Sequence, residues 1–113
     1  MAHSTGTAAS GGVLEVAVAA VANGTAVIEE VHYSYAGTPT SGLLSIVERN
    51  AADDADATVL YREAVTVGGV GLIPLRRVIP AGNANRKVVV RLADGGQTKY
   101  LDVWYRYDYI PLS

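Results

Sequence analysis

The chain has 113 residues, no cysteine and a formal net charge of −2, and half of its residues are hydrophobic. That length allows one domain with a core of its own, while the missing cysteines exclude disulfides and thiolate metal sites. Val, Ala and Leu with seven Tyr and no Phe, punctuated by twelve Gly and four Pro, suit pleated sheets better than helical bundles.

Residues 1–12 are small, polar and glycine-rich without periodicity, and are read as a flexible arm ahead of a single domain over 13–113. Val13–Val21 alternates with Leu14, Val16 and Val18 on one face, and Asn23-Gly24 then signals a tight turn, because both residues tolerate positive φ. The return strand Ala26–Tyr35 sets Val27, Val31, Tyr33 and Tyr35 against Ile28, Glu30 and His32, which predicts a hairpin. Ala36–Gly42 is a loop, Leu43–Arg49 a strand, and Asn50–Ala57 an acidic exposed loop with room for one helical turn. Thr58–Val67 aligns Val59, Tyr61, Val65 and Val67, and a short strand from Val70 to Leu75 follows a Gly-Gly step. After the Pro80–Asn85 loop, Arg86–Ala93 points Val88, Val90 and Leu92 inward and Lys87, Val89 and Arg91 outward, and Asp94–Gln97 is a turn.

The last strand, Lys99–Ile110, holds five of the eight aromatic residues. Period two puts Leu101, Val103, Tyr105, Tyr107 and Tyr109 on a core face, and Tyr100, Asp102, Trp104, Arg106 and Asp108 on the other. An exposed tryptophan between charges is a usual interface or sugar-site anchor, whereas a one-residue slip would make Trp104 core. Both readings of Trp104 stand. Seven to eight short strands about ten residues apart predict an all-β fold, an antiparallel β-sandwich or jelly roll.

Charge divides along the chain. Residues 1–63 carry −6 and residues 64–113 carry +4. Either these are solvated strand faces, or a basic surface meets an acidic surface of a neighbour. Arg76, Arg77, Arg86, Lys87, Arg91 and Lys99 cluster in sequence, yet they lack interleaved aromatics and the total charge is acidic, so nucleic acid is not expected as a partner. No apolar run reaches the roughly 18 residues of a spanning helix, and the N-terminal residues lack a signal-peptide pattern, so neither membrane association nor export is expected.

Catalytic chemistry finds no constellation. His32 lies beside Glu30 and Ser34 but no G-x-S-x-G elbow occurs, and His32 reads as a satisfied surface residue. Asp53, Asp54 and Asp56 lack the ligand spacing of a calcium loop, and Gly68, Gly69 and Gly71 precede no helix or Gly-Lys-Ser/Thr. The Asn23-Gly24-Thr25 sequon is explained by its turn chemistry. The expectation is therefore no enzyme, no metal and no cofactor.

From Ala64 to Val103, the Gly68-Gly69 step, Leu72-Ile73-Pro74-Leu75, Pro80-Ala81-Gly82, Val88-Val89-Val90-Arg91-Leu92, Gly95-Gly96 and Leu101-Asp102-Val103 follow one another in a pattern of strands and loops. This pattern resembles the small β-sandwich capsid decoration (cement) proteins of tailed bacteriophages. The resemblance implies a structural virion protein, made in the host cytoplasm and placed on the capsid exterior, that binds major capsid subunits and copies of itself as a homo-oligomer on the assembly. It carries no catalytic residues. Trp104, Tyr100, Arg106, Arg76 and Arg77 are the candidate partner-binding residues. The other class open to the same residues is a receptor- or carbohydrate-binding module of a phage tail or fibre, with Trp104 and nearby Tyr rings as a stacking platform.

Overall fold

The structure, a computed structural model, describes residues 2–8, 12–19, 24–49, 56–69, 72–76, 79–80 and 86–109. Among them are nine strands and no helix: β1 (Ala2–Ala8), β2 (Leu14–Val18), β3 (Gly24–Tyr35), β4 (Gly42–Arg49), β5 (Asp56–Val65), β6 (Ile73–Leu75), β7 (Ile79–Pro80), β8 (Lys87–Leu92) and β9 (Lys99–Tyr109). They form two antiparallel sheets. The first has the order β1-β9-β3-β6 with β7 also along β3, and the second β2-β8-β4-β5.

The pairings β1·β9, β2·β8, β3·β6/β7 and β4·β5 are nested, as in one long antiparallel ribbon doubled on itself. Wrapping that ribbon adds β3·β9 and β4·β8. The result is a jelly roll, with β6 and β7 together filling one strand position. Its core is the facing set Leu14, Val16, Val18, Ile28, Val31, Leu44, Ile46, Val88, Val90, Leu92, Leu101 and Val103, with Tyr105 and Tyr107 packed partly buried against it.

Nesting corrects two expectations. The chain between β2 and β3 crosses from one sheet to the other, so the pair does not form the predicted hairpin: β2 pairs with β8, and Gly24 is already in β3, opposite Tyr109. Residues 2–8, read as an arm, are paired as β1 from Ala2↔Tyr105 to Ala8↔Lys99. Main-chain pairing holds such a strand without an apolar stripe, which is why periodicity misses it. Gly6 lets it sit close, since a Cβ there would lie 2.8 Å from Val16 Cγ2.

Two bulges correct the facing of side chains. One between Ile28 and Glu30 inserts Glu29, so Ala26 and Ile28 join Val31 and Tyr33 in the core while Val27 turns to the outer face. The other, between Ile46 and Val47, lies opposite Leu60, so Leu60 and Tyr61 both pack on the core and Val59 faces out. An extra residue in one strand reverses the alternation beyond it. Val67, expected in line with Val65, is exposed just past the end of β5.

Tyrosine hydroxyls tie the two sheets at both ends: Tyr107 Oη donates to Ala19 O (2.7 Å) and Tyr35 Oη to Ala93 O (2.6 Å). Beside Tyr35 the predicted turn is present, with Gly95 at φ +60° and Gly96 at φ +72°. At the same end Gly68 meets the 36–38 loop so closely that a Cβ would fall 1.7 Å from Gly37 O. Gly68→Ala is expected to cost about 1–3 kcal/mol through forced backbone displacement. A lowered urea midpoint with an unchanged slope would be the signature, and an unchanged midpoint would contradict this packing.

The unlike halves of the chain meet inside one molecule. Because nested pairing sets early strands beside late ones, Glu15 pairs with Arg91, Glu29 with Arg106, Glu30 with Arg76 and Glu48 with Arg86. The charge division is thus satisfied largely in cis. Nor do the clustered bases form one patch: Arg76 lies on the first sheet, Arg91 on the second, and Lys99 is fully buried. Arg77, Asp53 and Asp54 of the acidic loop, and the tail after Tyr109 lie outside the described residues.

Candidate protein-binding face

The outer surface of the first sheet gathers four of the five candidate residues. On β9, Tyr100, Trp104 and Arg106 alternate with the buried Leu101 and Val103, in the register read from the sequence. Trp104 therefore stands on the outer face, opposite Glu30, and is half-buried there. Pro74 pairs with His32, which puts Arg76, two residues on, over the same face beside Glu30.

At the centre of this face, the His32 and Trp104 rings meet in a tilted contact, with a centroid distance of 4.9 Å and an interplanar angle of 54°. His32 Nε2 donates to Glu30 Oε1 at 2.8 Å, and Arg76 Nε donates to the same oxygen at 3.3 Å. Asp102 lies opposite His32 in the strand pairing. Farther along β9, Arg106 donates both to Glu29 of the bulge and to Asp108, so the bulge that reverses the facing also brings up a partner for Arg106. Tyr100 ends the row as the face's large exposed aromatic, 47% accessible.

Electrostatics here are cooperative. The hydrogen bond from His32, supplemented by Arg76, holds the Glu30 carboxyl below its ordinary value. Arg106 is held above its ordinary value, first by the Glu29 hydrogen bond. On the opposite sheet, burial pushes the Glu15 carboxyl up, but the Arg49 and Arg91 bonds outweigh it and hold it low. Carboxyls depressed in the folded state stabilise it above their unfolded value and lose that contribution as pH falls through the folded value. The thermal midpoint is therefore expected to drop as pH is lowered from about 5 to about 3, and Glu15→Gln to make the drop shallower. An identical pH profile for the variant would remove Glu15 from the account.

The arrangement sets aromatic, cationic and anionic groups side by side on one face. His32 lies between Glu30 and Asp102, two residues before Ser34 on the same strand, with its ring against Trp104 and its Nε2 bonded to Glu30. Among the described residues no group of three His, Cys, Asp or Glu side chains is placed to hold a metal ion. Sequence reading singled out Trp104, Tyr100, Arg106 and Arg76 but missed that His32, Glu30 and Glu29 complete the face. The spacing Glu30-x-His32 on the strand that pairs with β9 was the available signal, and only the register with β9 converts it into a cluster. No helix among the described residues is long and apolar enough to cross a membrane.

No protein-family model matches the chain, and no curated protein matches it significantly.

Proposed function

We propose that the chain is a structural protein that binds a repeating protein surface through the outer face of its first sheet, as a decoration protein on a bacteriophage capsid. The observation that carries this reading is the assembly on one sheet face of Trp104, Tyr100, Arg106 and Arg76, with His32 and Glu30 fixing the tryptophan. Aromatic and arginine side chains on a rigid face are what interface hot spots are made of. Jelly rolls serve in viral capsids as well as in lectins, which makes the fold compatible with the reading without selecting it. Major capsid subunits are the proposed partner, with further copies of the chain beside it on the shell.

Co-sedimentation of the purified protein with capsid particles tests the proposal: saturable binding at a fixed number of copies per particle supports it, and a supernatant that retains all the protein refutes it. The exposed Tyr100 in the same row as Trp104 keeps one second reading, a carbohydrate-binding module using those rings as a platform. Glycan-array binding that is lost in Tyr100→Ala, without particle binding, would select that reading instead.

A further inference from the structure

The opposite sheet carries a cleft of its own. About 220 Å³ in volume, it is lined by Leu43, Ser45, Val47, Val59, Arg62 and Arg91 on the outer surface of β4, β5 and β8. Register explains its form. Arg91, Ser45 and Arg62 make one row across the three strands, and Val89, Val47 and Val59 make the next.

The floor is unusual for an outward face, because Ser45, Val47 and Val89 are all buried. Arg49, one row beyond Val47, reaches across to Glu15 at 2.6 Å. Glu15 already serves two guanidiniums, Arg49 and, at 2.9 Å, Arg91. Arg62 is different. Among the described residues, no carboxylate pairs with it, although the nested fold gives most other arginines an acidic partner.

A cationic rim with a hydroxyl beside it, over an aliphatic surface formed by buried Val47, partly exposed Leu43 and exposed Val59, selects by charge and polarity at once. A simple inorganic anion would satisfy the rim and leave the valines wet, and an ammonium would be repelled. We propose that this cleft binds a carboxylate borne on a small apolar body, with the carboxylate between Arg62 and Arg91 at Ser45 and the apolar part on Leu43, Val47 and Val59. The volume lies below the roughly 300–1,000 Å³ of sites for drug-sized ligands, which sets the scale of the group. Since the cleft opens on the sheet facing away from Trp104, it is independent of the docking proposal.

The test is a titration of isotope-labelled protein followed at the Val47 and Val59 methyls and the Arg62 side-chain N–H. Hexanoate and the peptide acetyl-Leu-Glu-Val-amide are the carboxylate probes, with hexylammonium and sulfate as controls. At least one carboxylate probe is expected to give saturable shifts at all three positions, hexylammonium none, and sulfate a weaker response confined to Arg62. Tighter binding of hexanoate assigns the cleft to free acids, and tighter binding of the peptide assigns it to acidic side chains of a partner. Arg62→Gln is expected to weaken the better probe at least tenfold, with Arg62→Lys recovering part of the loss. Saturation by neither carboxylate, equal binding of hexylammonium or sulfate, or undiminished binding by a folded Arg62→Gln protein would overturn the proposal.

Discussion

Lys99→Ala is expected to lower the unfolding free energy by about 3 kcal/mol, because two carbonyls lose their donor and each orphaned buried acceptor costs about 1–3 kcal/mol. Lys99 is fully buried, and its Nζ donates to Asp94 O at 3.0 Å and Gln97 O at 2.7 Å, with Asp94 Oδ1 at 3.5 Å. The ammonium thus closes the turn that carries the chain from β8 to β9. Asp94 is itself half-exposed, so water can recover part of the loss and hold the cost near the lower end of the combined range. A shift of about 4–8 °C per kcal/mol makes the effect plain in a thermal melt. Lys99→Met separates the contributions, since it keeps the stem and removes only the donor. If the methionine variant is as stable as the parent, the ammonium is dispensable and buried aliphatic packing alone explains the position.

Trp104→Ala is expected to leave a folded protein with about 2–4 kcal/mol less binding free energy for its partner, the cost typical of truncating an interface tryptophan. A tryptophan in the core would instead take about 3–5 kcal/mol from folding. The structure separates the two cases: Trp104 lies on the outer face against His32, while its neighbours Val103 and Tyr105 point to the core. Losing the tilted contact with the His32 ring is worth about 0.5–1.5 kcal/mol beyond area, so some decline in the melt is expected, well short of a core deletion. An unfolded variant, or one that binds particles as the parent does, would remove Trp104 as the anchor.

The alternation of β9 was readable because a long strand with Leu101 and Val103 on one face and Asp102, Arg106 and Asp108 on the other admits one register when one face is buried. Val88, Val90 and Leu92 are equally plain, whereas the full burial of outward-facing Val89 depends on its neighbours Ala17 and Val47 in strands remote in sequence. Asn23-Gly24 misled because local turn chemistry carries no information about which sheet the next strand joins, and here long-range pairing of β2 with β8 and of β3 with β9 overrides it. The candidate face was half legible for the same reason. Trp104 and Arg106 announce themselves on one strand, whereas His32 and Glu30 become their neighbours only through pairing across some 70 residues.

Hydroxyl-radical footprinting of the protein free and bound to capsid particles tests the docking face most directly, because it reads side chains on each sheet separately. Trp104 and Tyr100 are expected to lose reactivity on binding, while Leu43 and Val59 on the opposite sheet keep theirs. Protection confined to Leu43 and Val59, with Trp104 and Tyr100 as reactive as in the free protein, would contradict the assignment of the first sheet's outer face as the binding surface.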